Sequence, residues 1–420
     1  MVVCLWVLML LCGGLWAQVG VPTIARVVVD GNGVTKRHII VRELALGTGQ
    51  PFDATLARED RNRLYNLGIF EWVDIRSRQD SSGEIELVVE VVETWRIVPF
   101  PVIGNLDELG PFYGGVISYV NFRGLNQRLD LSATFGALRT YTLAFADPWL
   151  VGNRIAVTGW LRQVFRRQPV LPLVTQVRDL EFSLGKSNLP RTLSLRGSAS
   201  LEERTVDWQE SGRQDTVHRV FQGKLDVLWR TTDIWRDPTR GWRLNLYLSP
   251  VLGLDEKSPT YIHLRLTGAW FHTLRGGGRP LVVGAGLSLS HFDRATPSYM
   301  KQYVGSQWVR GYHVDPAANS RKIQGTQEAT SVARTSVELR KTLFPRRLVQ
   351  GLELGLSGVL FADVGWGYGP DIPLGQARPL MGFGAGLRLF IPILNVVAVD
   401  AGTNPYDWKP RIRFRLSQAF

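Results

Sequence analysis

The feature that most constrains the fold is a strict alternation of apolar and polar residues that runs from Trp95 to the C-terminus. It comes in segments of about ten residues, and no helical periodicity persists among them. Because successive side chains of a β-strand point to opposite faces, each segment would have one apolar and one polar face. In residues 127–136 the two sets are Leu129, Leu131, Ala133 and Phe135 against Arg128, Asp130, Ser132 and Thr134.

Sixteen such segments are predicted between residues 95 and 420, and single-chain bacterial outer-membrane barrels have an even number of strands. The long connections follow odd-numbered segments, as in such barrels. We therefore expect a mostly β protein whose 16-stranded antiparallel transmembrane β-barrel has apolar faces in lipid and polar faces in the lumen. A soluble sandwich is the alternative, because its apolar faces would meet another sheet. Tryptophans near predicted strand ends favour a membrane-interface girdle: Trp149, Trp160, Trp229, Trp242 and Trp270.

The composition agrees with a barrel. The mean hydropathy is −0.03, as expected when half of each strand faces lipid and half faces water. The chain has 49 Lys and Arg against 37 Asp and Glu, and a net charge of +12 can indicate a nucleic-acid-binding protein. We expect no nucleic-acid partner, because the arginines alternate along strands, as Arg411, Arg413 and Arg415 do, instead of forming one patch. The excess charge is assigned to the lumen and the loops.

Residues 1–17 are predicted to be a secretory signal peptide, because the segment is uncharged and apolar and ends in the small residue Ala17. Both cysteines, Cys4 and Cys12, lie within it. Cleavage after Ala17 would leave a mature chain without a disulfide or a thiolate metal site, and lipidation at Cys12 is the alternative.

Residues 22–93 are predicted to form one small α+β domain with the order β-α-α-β-β. Thr35 and Asp53 are the expected caps of its two helices. The domain resembles the POTRA domain of the BamA/TamA family, which implies a periplasmic location and sheet edges that can accept a client strand. A rigid spacer is the alternative. The blocks that carry the resemblance are Val29-Asp30-Gly31-Asn32, Arg42-Glu43-Leu44, Gly49-Gln50-Pro51-Phe52-Asp53 and Asn66-Leu67-Gly68-Ile69-Phe70.

The barrel, residues 95–420, resembles the same family. The long loop after the eleventh segment contains Val309-Arg310-Gly311-Tyr312, which is similar to the family's Arg-Gly-aromatic loop tip. Asp363 and Gly365 match the partner motif in the thirteenth segment, and Glu338 matches an acid in the twelfth. A desolvated Arg310 would need these carboxylates, and bidentate pairing would fix the loop. We favour a conformational lock over direct contact with a substrate.

The two end strands of the barrel carry separate signals. The last strand holds Phe414, Leu416 and Phe420, which resemble the C-terminal signal that barrel-assembly machinery reads. They are alternatively plain lipid-facing anchors. The first strand contains Pro99 and Pro101, and each proline removes a ladder donor. A seam between the first and last strands would therefore be weak.

The resemblance implies a protein that inserts or translocates other proteins at the outer membrane of a Gram-negative-type bacterium. Its expected partners are the lipid bilayer, unfolded outer-membrane or secreted client proteins, and periplasmic accessory factors. The alternatives are a passive channel, a surface receptor or a secretion transporter with the same fold. We expect no enzyme activity, metal or cofactor, because none of the six histidines forms a metal-spaced pair and no nucleotide-binding glycine loop is present.

Overall fold

The computed structural model describes fifteen ranges of the chain. The signal segment 1–17, with both cysteines, lies outside the described residues, as do Leu416 and Phe420. No described helix is long and apolar enough to cross a membrane. The described ranges are 23–80, 84–106, 110–151, 155–167, 173–187, 192–209, 214–235, 237–293, 295–305, 308–312, 328–349, 352–370, 372–391, 395–406 and 408–415.

The N-terminal domain has the predicted β-α-α-β-β order. Its elements are β1 (Ile24–Asp30), α1 (Arg37–Val41), α2 (Ala54–Asn66), β2 (Phe70–Gln79) and β3 (Ile85–Glu93). The sheet order is β1-β3-β2, in which β3 runs parallel to β1 and antiparallel to β2. Both helices pack on this sheet around one apolar core, so the domain has a core of its own. Fully buried members of that core include Ile24, Ile39, Ile40, Leu64, Ile69, Phe70 and Leu87.

One of the two predicted helix caps is present. The Asp53 carboxylate accepts hydrogen bonds from the backbone N–H groups of Thr55 (2.7 Å) and Leu56 (3.3 Å), which satisfies donors of the first turn of α2. The Thr35 cap is wrong, because α1 begins two residues later and Lys36 occupies its N-cap without a side-chain hydrogen bond.

The barrel is one antiparallel sheet of 16 strands, as the alternation predicts. Two short strands, β15 (Gln302–Tyr303) and β16 (Glu328–Ala329), form a separate ribbon in the long loop. The barrel strands are β4 (Ile97–Leu106), β5 (Gly110–Phe122), β6 (Gln127–Gly136), β7 (Leu138–Val151), β8 (Ile155–Arg167), β9 (Leu173–Ser187), β10 (Leu193–Trp208), β11 (Thr216–Arg230), β12 (Gly241–Gly253), β13 (Tyr261–Arg275), β14 (Leu281–Phe292), β17 (Ser331–Val349), β18 (Leu352–Tyr368), β19 (Leu380–Ile391), β20 (Asn395–Thr403) and β21 (Arg411–Arg415).

The two faces of the barrel wall differ in polarity as the sequence predicts. On β9, the side chains of Asp179 and Glu181 are buried on the lumen side, whereas Leu180 and Phe182 are each 51% exposed on the outside. These apolar side chains face outward from a single, nearly closed sheet, and among the described residues no second sheet packs over them. The soluble-sandwich alternative is therefore wrong.

Two of the predicted girdle tryptophans have other contacts. The Trp160 indole donates a hydrogen bond to Asp179 (2.8 Å) and so points into the lumen. The Trp149 ring lies under the Arg42 guanidinium of the N-terminal domain, 3.9 Å from the ring centroid. Trp149 lies within β7, near its proximal end. Proximity to a strand end thus did not determine which way these rings point.

The N-terminal domain docks on the turn between β5 and β6. The Glu93 carboxylate accepts a hydrogen bond from Thr35 N (2.6 Å) and from its hydroxyl (2.5 Å). Asn121 Nδ2 donates to Thr35 Oγ1 (2.8 Å), and Lys36 N donates to the carbonyl oxygen of Gly124 (2.9 Å). This buried junction fixes the domain at one end of the barrel, which we call the proximal end.

The sheet order begins at β4 and ends at β21, and no ladder joins these two strands within the described residues. Val120 N donates to the Arg96 carbonyl oxygen (2.7 Å), so even-numbered residues of β4 exchange hydrogen bonds with β5. The backbone groups of odd-numbered residues then face the open edge. Pro99 and Pro101 are odd-numbered, so they remove two donors from that edge.

Candidate functional site

The loop between β14 and β17 folds back into the barrel lumen. Val309 is fully buried and Tyr312 is 4% exposed. Both pack with Val304 of the same loop, and with Val332 of β17 and Leu380 of β19. The tip is therefore held against the inner wall by apolar contacts as well as by its charge.

The structure brings Arg310 together with both predicted partners. Its guanidinium binds the Asp363 carboxylate bidentately, with Nε–Oδ2 and Nη2–Oδ1 distances of 2.7 Å each. Nη1 donates to Glu338 Oε1 (2.6 Å), and the Arg310 side chain is only 2% exposed. Ser336 bridges the pair, accepting from Nη2 (3.0 Å) and donating to Asp363 (2.5 Å). The guanidinium also lies 3.6 Å from the Phe361 ring centroid, an attractive cation–π contact.

Glycines in the wall let the loop tip approach the strands closely. Gly311 has φ +90°, a conformation that side-chain-bearing residues rarely adopt. A Cβ on Gly382 would collide with the Arg310 carbonyl oxygen, and one on the predicted Gly365 would lie 2.6 Å from Val309 Cγ2. The loop tip thus occupies space that side chains at Gly365 and Gly382 would otherwise fill.

The charge network is wider than the sequence predicted. Glu338 also pairs with Arg340 (2.9 Å) and Arg388 (3.4 Å), both from the lumen face. Asp400 of β20 pairs with Arg388 (2.7 Å) and with Arg415 of β21 (2.5 Å). Alternation had placed Arg415 in the lumen, but no sequence signal assigned Asp400 or Arg388 to this cluster.

The loop tip forms hydrogen bonds with residues at or next to the ends of the last two strands, β20 and β21. The carbonyl oxygen of Gly311 accepts hydrogen bonds from Arg411 Nη1 of β21 (3.0 Å) and Asn404 Nδ2 (2.7 Å). The Tyr312 hydroxyl accepts one from Met381 N of β19 (3.1 Å). Because β21 forms one side of the seam, the loop contacts one of the two strands at which the barrel would open.

Of the predicted C-terminal residues, Phe414 is 64% exposed on the outer face of β21. Leu416 and Phe420 lie outside the described residues. Among the residues that the structure describes, no group of three His, Cys, Asp or Glu side chains could hold a metal ion.

A second buried acid lies where the N-terminal domain meets the barrel. Glu71 of β2 is 3% exposed, its Oε1 accepts one long hydrogen bond from Thr94 (3.4 Å), and its Oε2 has no hydrogen-bond partner. Burial raises the pKa of this carboxyl, and the Thr94 hydrogen bond lowers it by less. Glu71 lines a cleft between α2 and β2 of this domain and the proximal end of the barrel, where Asp237 and Arg346 lie.

This architecture, a 16-stranded barrel with an internal loop and a small α+β module at one end, defines a class of outer-membrane β-barrel proteins. Residues 121–420 match the family model described as the Omp85 superfamily domain. Residues 22–94 match the POTRA model, described as a surface antigen variable number repeat. The chain belongs to the Omp85 superfamily.

Solved structures share the fold at low sequence identity. CdiB from Escherichia coli matches with a TM-score of 0.60 and 12% identity, covering 94% of this chain and 75% of that one. BamA from Haemophilus ducreyi lacking POTRA domains 1–3 matches with a TM-score of 0.58 and 14% identity, covering 94% and 83%. CdiB from Acinetobacter baumannii matches with a TM-score of 0.57 and 14% identity, covering 94% and 73%.

Proposed function

We propose that this protein inserts or translocates client proteins at the outer membrane, with the POTRA domain in the periplasm and the β4–β21 seam as the point of client pairing. The observation that carries the proposal is that, within the described residues, no strand forms a ladder with the edge of β4 that faces β21. Its outward-facing backbone groups can form a ladder with a client strand.

The two prolines explain why such an edge would stay available. An edge strand with all its donors would tend to pair with β21 and close the barrel permanently. Pro99 and Pro101 weaken that pairing, but they leave the carbonyl acceptors and the donor of Ile103 in place. Ile97 and Ile103 are 58% and 79% exposed on this strand, so the edge is also accessible from the membrane side.

The POTRA domain offers a site for an earlier step, the capture of the unfolded client. Its sheet ends at β2, and within the described residues no strand pairs with the outer edge of β2. An unfolded client could add there as a fourth strand, held by main-chain hydrogen bonds. The docked junction at Thr35 and Asn121 would then hold the captured client at a fixed position below the barrel.

The proposal is tested by placing a photo-crosslinking amino acid at Ile103 and, as a matched control, at Leu287. Leu287 is also outward-facing and 40% exposed, but it lies on β14 in the middle of the wall. We expect newly made outer-membrane or secreted proteins to crosslink at Ile103 and not at Leu287. Equal crosslinking at both positions would mean that clients do not use the seam.

Depletion of the protein provides the second arm. We expect the level of at least one outer-membrane or secreted protein to fall. Unchanged levels of all of them, together with a steady conductance in planar bilayers that Arg310→Ala does not alter, would instead identify a passive channel.

A further inference from the structure

Three charged residues form a cross-strand triad on the outer face of the barrel. Glu203 of β10 lies opposite Arg178 of β9 and Arg219 of β11 in the ladders. The distances from Glu203 Oε1 to Arg178 Nη1 and from Oε2 to Arg219 Nε are 3.4 and 3.1 Å. The two arginine side chains are 61% and 62% exposed, so both guanidinium groups can be reached from outside the barrel.

The triad marks the distal edge of the lipid-facing band. Outward apolar residues run from Leu193 to Leu201 on β10 and from Phe221 to Trp229 on β11. Each run is about nine residues long, which is close to the length that crosses the hydrocarbon core. Glu203 and Arg219 are the next outward residues at the end of the barrel opposite the POTRA domain. They therefore lie at the level of the lipid headgroups of the distal leaflet.

An apolar groove on the same outer face adjoins the triad. Its volume is about 1540 Å³, and the three charged residues line it together with outward side chains of neighbouring strands. A barrel wall does not need such a groove in order to be embedded in a lipid bilayer. The apolar side chains along it include Tyr113, Leu131, Leu143, Leu161, Leu180 and Leu201.

We propose that the triad and the groove bind an acidic, phosphate-bearing lipid of the distal leaflet. The lipid phosphate would bind the exposed guanidinium groups of Arg178 and Arg219, which match phosphate geometry bidentately. The acyl chains would lie in the groove. Glu203 holds the two arginines on either side of itself and competes with the phosphate for their N–H groups.

The test measures retained lipid by native mass spectrometry of the full chain. The protein is released from nanodiscs made of equal parts phosphatidylglycerol and phosphatidylcholine. We expect the wild type to retain phosphatidylglycerol preferentially. Each basic residue near an acidic surface strengthens binding roughly fivefold. In the double variant R178Q/R219Q, the preference for phosphatidylglycerol should therefore fall roughly 25-fold.

Two further variants separate specific binding from general charge. Lys186 faces outward at the proximal end of β9, so Lys186→Gln removes a charge from the same strand and face but from the other leaflet. Its lipid preference should equal that of the wild type. Glu203→Gln removes the competing carboxylate and should increase retention of phosphatidylglycerol.

Three results would overturn the proposal. One is wild-type retention by R178Q/R219Q, and another is an equal loss in Lys186→Gln. The third is complete displacement of the lipid by inorganic phosphate, because the site would then bind a free anion and the groove would contribute nothing.

Discussion

Replacement of Arg310 by alanine is the most direct perturbation of the lumen cluster. It removes two charge-assisted hydrogen bonds to Asp363 and one to Glu338. Glu338 keeps Arg340 and Arg388 as partners, whereas Asp363 keeps Arg334 only at 3.5 Å. Most of the cost therefore comes from the Asp363 carboxylate, which stays buried without a close cation.

Removing one partner of a buried ion pair lowers the free energy of unfolding by about 3–5 kcal/mol. Because Glu338 keeps its other partners, we expect Arg310→Ala to cost near the lower value, about 3 kcal/mol. The free energy of unfolding is measured on detergent-folded protein by guanidinium titration, with the heat-dependent gel shift of the folded barrel as a second readout. Arg310→Lys keeps the positive charge but not the planar, bidentate geometry of the guanidinium. The loss in the free energy of unfolding should therefore be smaller, about 1–2 kcal/mol.

Arg128→Ala is the matched control. Arg128 also pairs with a carboxylate on a barrel strand (Asp130, 2.7 Å), but its side chain is 48% exposed. Such exposed pairs contribute at most about 1 kcal/mol. If Arg310→Ala were no more destabilising than Arg128→Ala, burial of the cluster would not carry the energy assigned to it. Adding Asp363→Asn to Arg310→Ala removes the stranded charge, and a failure to recover any stability would contradict the same reasoning.

Three further changes have defined outcomes. Gly382→Ala places a methyl group against the Arg310 carbonyl oxygen and should destabilise the barrel by about 1–3 kcal/mol in the same titration, whereas Gly375→Ala, which meets no neighbour, should have little effect. Pro99→Thr with Pro101→Thr restores two edge donors, so seam amides should exchange hydrogen more slowly and client crosslinking at Ile103 should fall. Glu71→Gln should slow hydrogen exchange in β2 and β3 at pH 7 but change it little at pH 4. Burial raises the pKa of the Glu71 carboxyl in the folded protein, so the folded state is favoured while that carboxyl is protonated. This stabilisation is lost as the pH rises from the carboxyl pKa of the unfolded chain through that of the folded protein. Glu59→Gln, on the exposed face of α2, is the control.

The fold was predictable because its determinants are local. Alternation fixes which residues share a face, and the turn blocks of the N-terminal domain fix the order of its elements. Cross-strand partners are not local, because they depend on strand register. The sequence therefore indicated that Arg415 faces the lumen but not that Asp400 on the neighbouring strand would pair with it. The same limitation explains Trp160, whose indole turns inward to reach Asp179 on β9, and Thr35, whose hydroxyl is bonded by Glu93 and Asn121.

The contacts of the loop tip link two features that the sequence presents as separate. Gly311 is bonded to Arg411, and Asp400 connects the cluster of Arg310 to Arg415, so β21 is attached to the lumen loop at two points. A strand held from inside the barrel loses those contacts if it moves to open the seam. By thermodynamic linkage, a client that pairs with β4 and displaces β21 must weaken the seating of the loop, and a seated loop must weaken client pairing by the same factor. If the seam opens as proposed, the prolines reduce the number of ladder hydrogen bonds that opening breaks, and the buried ion pairs add to its cost.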